Sequence, residues 1–201
     1  RRHSALGYLS PEQFERLVVF LCQKLLGMGV QGFAKGRDGG RDAKFVGTAQ
    51  TYPSMSVAWT GTIIIQAKHT NGYNKHFSES DFFNPRAKTT VIGEETPRIK
   101  ALRDAKQVDH YMLFSNRRLA ANAESVIRSH ISAACGLPED SIALFGIDDL
   151  ERLLRTYPEV ADQADLDPVD SPLIVSPQDL AEVVEALAQH KDVFSRVEDS
   201  P

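Results

Sequence analysis

The sequence predicts an α/β fold on three observations. An amphipathic helix opens the chain, compact apolar strand-like runs follow it, and elements then alternate in the order helix, strands, helix, strand, helix. In the first helix, Ser10 is placed to N-cap, Pro11 suits the first helical position, and Gln13 completes a capping-box spacing. Phe14, Leu17, Val18, Leu21 and Leu25 then fall on one face, and glycines at 27, 29 and 32 end the run.

Val30 to Ala34 reads as a short strand. Asp42 to Val46 reads as a strand starting at a glycine turn, with Thr62 to Ala67 its antiparallel neighbour and Thr48 to Thr60 a loop or hairpin extension between them. His69 to Pro97 is a long irregular segment rich in Asn, Gly, Ser and Pro, of the kind that is functional or mobile, with short helical stretches expected around Ser78–Phe83 or Ile99–Ala105. His110 to Phe114 is a compact apolar strand, Ala120 to Cys135 a helix, and Ile142 to Phe145 a further strand. Asp148 is placed to cap a helix running to Arg155, with Leu150, Leu153 and Leu154 inward. The organisation expected is one domain over 1–161, an acidic Pro/Ser-containing linker over 162–177, and an amphipathic helix over 178–201 that docks, dimerises or leads into a further domain.

Hydrophobic content of 42% and charged content of 25% over 201 residues fit a globular chain with a sizeable core. The apolar runs are too short to span a bilayer, so no membrane partner is expected. No signal peptide is visible, and the opening Arg1 reads as the start of a processed or excised piece. Cys22 and Cys135 lie in apolar helical patterns without a C-x-x-C spacing, which reads as two buried thiols in a reducing cytoplasm. The net charge of −4 hides an asymmetry, since the first 118 positions sum to +8 and the rest to −12. A basic half fits a polyanionic partner, because neutralising phosphates is the main source of nucleic-acid affinity.

The chemistry-bearing residues fall in that basic half. Asp38-Gly39-Gly40-Arg41-Asp42 puts a carboxylate beside a glycine turn, and Gln66-Ala67-Lys68 leaves the apolar run Ile63-Ile64-Ile65. Residues two apart on a strand share a face, so Gln66 and Lys68 point the same way while Ile63 and Ile65 point into the core. Magnesium takes hard oxygen ligands, and Asp42 offers a carboxylate, Gln66 an amide oxygen and Ala67 a backbone carbonyl. Lys68 is suited to orienting or deprotonating the attacking water, or to stabilising charge on the phosphorane. Glu15, at the edge of the first helix's apolar face, is the candidate fourth member; it reads equally as a solvated flank. Asp38 reads as a turn residue. Arg37, Arg41, His69, Lys75, Arg86 and Lys88 are candidate phosphate contacts, and His76 is a weaker one. Arg98, Lys100, Arg103 and Lys106 extend the basic segment. Trp59 and Tyr73 are suited to stacking on bases, with packing the plainer expectation.

Phe14-Glu15-x-Leu17-Val18 on a first helix, Gly39-Gly40-Arg41-Asp42, and Ile65-Gln66-Ala67-Lys68 together resemble the Mrr-like branch of the PD-(D/E)xK restriction-endonuclease superfamily. The resemblance covers Ser10 to Ser115 and extends more loosely to Tyr157. It implies a restriction-endonuclease-like fold, a central mixed sheet flanked by helices. It further implies a phosphodiesterase site of Glu15, Asp42, Gln66 and Lys68 that works with Mg²⁺ (or Mn²⁺) on DNA. Gln66 stands where the superfamily usually has an acid, so metal affinity would lean on Asp42 and Glu15. The function implied is an endonuclease in restriction or anti-phage defence, acting as a homo-oligomer or fused to a sensor or ATPase module. The alternatives are a non-catalytic nucleic-acid-binding module on the same fold, an RNase or repair nuclease, and an interaction domain using the terminal helix.

Overall fold

A computed structural model of the chain describes Leu6, residues 9–33, 43–71 and 74–164. In order, the elements are α1 (Pro11–Leu25), β1 (Ala43–Pro53), β2 (Ala58–Lys68), α2 (Val91–Asp104), β3 (His110–Ser115), α3 (Ala121–Cys135), β4 (Ile142–Phe145), α4 (Ile147–Thr156) and α5 (Glu159–Gln163). The strands form one sheet in the order β1-β2-β3-β4. β1 and β2 are antiparallel, while β2, β3 and β4 run parallel, so the sheet is mixed and the fold is α/β.

The start of α1 follows from three residues. The Ser10 hydroxyl accepts from the Gln13 amide at 3.1 Å, and the Gln13 side chain accepts from the Ser10 amide at 2.9 Å. Such a cap contributes about 0.5–2 kcal/mol, and Pro11 gives up no hydrogen bond at the first position. Phe14, Leu17, Val18, Leu21, Cys22 and Leu25 are buried, which is the face the sequence predicts plus one thiol.

Both faces of the sheet are covered. Ile63, Ile65, Met112, Phe114, Ala143 and Phe145 pack in one core with α1, Leu150 of α4 and Val160 of α5. The alternate residues Ile64, Tyr111, Leu113, Ile142 and Leu144 pack in a second core with α2 and α3. This two-sided burial explains why β2 and β3 read as continuous apolar runs rather than alternating ones.

Of the two readings for Thr48 to Thr60, the hairpin extension is the one observed. Pairing continues from Ala43↔Ile65 to Thr48↔Thr60 and, after an irregularity, closes at Pro53↔Ala58, so Thr48 to Thr60 is a hairpin extension. The Thr48 and Thr60 hydroxyls meet at 3.2 Å, and the Tyr52 and Trp59 rings pack edge-on at 4.8 Å. Trp59 also stacks on His110 at 4.4 Å and is buried, as the packing expectation holds. Gln31 exchanges two backbone hydrogen bonds with Lys44, at 2.8 and 3.0 Å, in an isolated bridge where a short strand was expected.

Irregular chain does not run from His69 to Pro97, because α2 begins at Val91 and Pro97 lies inside it. Proline removes an amide donor, but Pro97 is exposed and the helix continues through it to Asp104. At α4, Asp148 is not the cap. Gly146 holds that position, and Asp149 reaches back to accept from its amide at 3.0 Å. A Cβ at Gly146 would fall 2.7 Å from Leu119 Cβ and 2.9 Å from the Arg117 carbonyl, so the close chain crossing there requires glycine. Asp162 and Gln163, expected in a linker, still belong to α5. The remaining linker and the 178–201 helix lie outside the described residues. Cys22 and Cys135 are buried and free, and burial pushes both thiols up, Cys135 to about 11.

Candidate active site

The C-terminal end of β2 carries Gln66 and Lys68 on the face that meets α2. Alternation along the strand puts Ile64, Gln66 and Lys68 on one side and Ile63 and Ile65 on the other, where α1 packs. Opposite Gln66 and Lys68 stands Glu95 of α2, whose side chain is 3% exposed. One of its oxygens, Oε1, accepts from Lys68 Nζ at 2.5 Å, from an Arg98 guanidinium nitrogen at 3.0 Å and from Gln66 Nε2 at 3.2 Å. The other, Oε2, accepts from the Tyr111 hydroxyl at 3.2 Å.

Burying an ionised carboxylate is costly unless it is paired and fully hydrogen-bonded. Glu95 meets that condition with two cations, an amide and a phenol. Burial alone would raise its pKa, but Lys68, Arg98 and Gln66 outweigh burial and hold the carboxyl below its ordinary value. The same contacts order the two predicted residues. A carboxylate can only accept, so Gln66 turns its nitrogen toward Glu95 and keeps its amide oxygen for another partner. Lys68 is fixed over the strand end while 27% of its side chain stays in solvent.

Glu15 is half-buried on α1, whose apolar face packs on the opposite side of the sheet from α2. It does lie at the same end of the sheet. Its neighbour Phe14 packs on the His69 ring at 5.7 Å, directly after Lys68. His69 Nε2 is buried without a hydrogen-bond partner among the described residues. Burial lowers the His69 pKa, against the opposing pull of the Leu9 backbone and Glu12. Asp42, Asp38, Arg37, Arg41 and Tyr73 lie outside the described residues. The last described pair of the β1–β2 ladder is Ala43↔Ile65. Among the described residues no cluster of three His, Cys, Asp or Glu is arranged to hold a metal.

The segment after Lys68 is strapped to the end of β3. Asn116 exchanges two hydrogen bonds with the Thr70 backbone, both at 2.9 Å. Arg117, 2% exposed, forks onto Asp81 at 2.9 and 2.7 Å, donates to Thr70 Oγ1 at 2.8 Å and lies 4.9 Å over the Phe82 ring. Arg117 holds the Asp81 carboxyl well below its usual range. Lys75, a predicted phosphate contact, also pairs with Asp81, at 3.4 Å. Arg86 and Lys88 are exposed in the turn before α2, away from these contacts.

No family model and no solved structure matches the chain. A curated relative, the uncharacterized protein y4cD of Sinorhizobium fredii (strain NBRC 101917 / NGR234), is 29% identical over 154 residues. Those residues are 76% of this chain and 19% of the relative, so the chain spans about a fifth of that protein's length.

Sequence reasoning missed Glu95, Tyr111 and Arg117 as members of this end of the fold, and named Arg98 only within a basic segment. A signal for Glu95 existed. Ile92, Glu95 and Ile99 fall at i, i+3 and i+7, so a helix drawn through Pro97 puts the carboxylate in the apolar stripe. Nothing local marks Arg117, whose burial depends on a strap that closes from 36 residues away.

Proposed function

We propose that this chain is a divalent-metal-dependent endonuclease that hydrolyses DNA phosphodiester bonds, with the restriction-endonuclease-like fold of the Mrr-like branch, and acts as an effector in restriction or anti-phage defence. The observation that carries the reading is the pairing of Gln66 and Lys68 on one face at the end of β2, both held by the buried Glu95. The mixed sheet with helices on both faces agrees with the fold this reading expects.

The donor set at this end suits Mg²⁺ or Mn²⁺. The Gln66 amide oxygen is turned away from Glu95, and it and the Ala67 carbonyl are hard oxygen donors. Asp42 would supply the anionic ligand; it is joined to Ala43, whose ladder partner Ile65 precedes Gln66. Glu15 would act from α1, at the same end of the sheet. Glu95 accepts from Lys68, Arg98 and Gln66 at Oε1 and from Tyr111 at Oε2, so its role in this reading is to hold Lys68 and Gln66. When bound, the ion supplies a Lewis acid for the phosphate and a lowered pKa for water. Lys68 offers its charge to the phosphate oxygens as negative charge builds in the transition state. Arg98 and Tyr111 hold Glu95, and Glu95 holds Lys68, so the ammonium needs little reorganisation.

The test is cleavage of end-labelled duplex DNA, single-stranded DNA and RNA of one sequence, each with MgCl₂ or MnCl₂. Internal cuts in DNA that EDTA abolishes are expected. Cleavage of RNA alone would transfer the site to an RNase, and binding without cleavage of any substrate would make the chain a nucleic-acid-binding module.

A further inference from the structure

A groove of about 650 Å³ lies on the outer side of α2, apart from the Glu95 group. Pro85 and Ala87 of the preceding turn, Thr96 and Pro97 of α2 and His130 of α3 line it. Arg86, Lys88 and Lys100 bring three cations to this lining against one carboxylate, Glu94. Lys100 is paired with Asp104 at 3.0 Å, but Arg86 and Lys88 have no ion-pair partner among the described residues.

The turn that carries these two cations is built rather than loose. Asn84 accepts from the Arg86 amide at 3.0 Å through its side chain and from the Ala87 amide at 3.1 Å through its carbonyl. The turn then presses on α2. A Cβ at Gly93 would fall 2.5 Å from the Ala87 carbonyl oxygen and 2.9 Å from that of Lys88, so only glycine allows this approach. The His130 ring is steadied edge-on against Phe83 at 5.2 Å.

We infer that this groove binds a nucleotide unit through its phosphate, with Arg86 and Lys88 taking the charge and the proline and His130 surfaces taking the base. Two cations two residues apart on a fixed turn, without ion-pair partners among the described residues, favour an anion, and the apolar surface beside them favours a flat ring over a bare ion. The unit is one residue of a nucleic-acid strand, and displacement of the strand by a free nucleotide would count against that occupant. The inference does not depend on catalysis at Lys68, because it concerns binding at a separate surface.

The experiment measures binding of a fluorescein-labelled twelve-nucleotide DNA strand to the full chain in EDTA, by anisotropy across a salt series. Unlabelled dAMP is the competitor that separates a free nucleotide from a strand. The double variant Arg86→Glu/Lys88→Glu should weaken binding by about tenfold or more and reduce the log–log salt slope by roughly two. Gly93→Ala changes no charge, but should also weaken binding because it pushes the turn off α2. The control variant Arg152→Glu/Arg155→Glu, with the same charge change on α4 in the opposite layer, should weaken binding far less. Unchanged affinity in the Arg86/Lys88 variant, or an equal loss in the control, would overturn the inference. Because EDTA removes catalysis, either outcome leaves the nuclease reading to its own test.

Discussion

Lys68 Nζ lies 2.5 Å from Glu95 Oε1, and that contact ties the end of β2 to the first half of α2. The carboxylate is almost wholly removed from water, whereas the ammonium keeps 27% of its side chain in solvent. The pair is therefore asymmetric. Glu95 depends on its donors, while Lys68 is held in place with one side open.

That asymmetry predicts unequal costs. Glu95→Ala removes the buried carboxylate to which Lys68, Arg98, the Gln66 amide and the Tyr111 hydroxyl all donate, and should destabilise the fold by about 3–5 kcal/mol. Lys68→Ala leaves Glu95 three donors, and should cost only about 1–3 kcal/mol. Urea unfolding of the two variants checks this; equal losses would mean that the carboxylate is not the hub.

Acid should weaken the fold through the same residue. The folded state holds Glu95 below its ordinary value of 4.5. Its contribution is then fully present above that value and lost as pH falls through the lower, folded pKa. Urea midpoints measured from pH 7 to pH 3 should fall less in Glu95→Gln than in the native chain. An identical fall would assign the acid sensitivity to other carboxylates.

The strap closed by Arg117 makes a separate prediction. Arg117→Lys keeps the charge but loses the planar fork onto Asp81 and the bond to Thr70. It should cost about 2–3 kcal/mol and open the 74–90 segment to protease before the rest of the domain. Limited proteolysis with mass mapping reads the site of the first cut, and a first cut elsewhere would contradict the role of the fork.

Much of the frame was legible from local pattern. The Ser10–Gln13 box, the Phe14–Leu25 stripe and the apolar runs of β2 and β3 appear where the sequence puts them, because capping and periodicity are local. The hairpin's full length was not settled by the sequence, which allows Thr48 to Thr60 as loop or extension, since Pro53, Ser54 and Ser56 interrupt its apolar residues and cross-strand partners hold it. Neither was the start of α2, because Pro97 reads as a boundary and the Ile92–Glu95–Ile99 stripe crosses it. The candidate site was half legible. Gln66 and Lys68 share a face as alternation requires, but the carboxylate that orders them is 29 residues beyond Gln66. Adjacent Glu94 is exposed and Glu95 buried, a difference that helical periodicity makes once the helix is drawn through Pro97.

The most direct test of the central claim is the rate at which the full chain nicks supercoiled plasmid in Mg²⁺, compared with Lys68→Ala and Asp42→Ala. The native chain should nick, EDTA should stop it, and each variant should be slower by about 10²–10³-fold while still folded. Absence of metal-dependent nicking by the native chain, or full activity in both variants, would contradict the assignment of this end of β2 as a phosphodiesterase site.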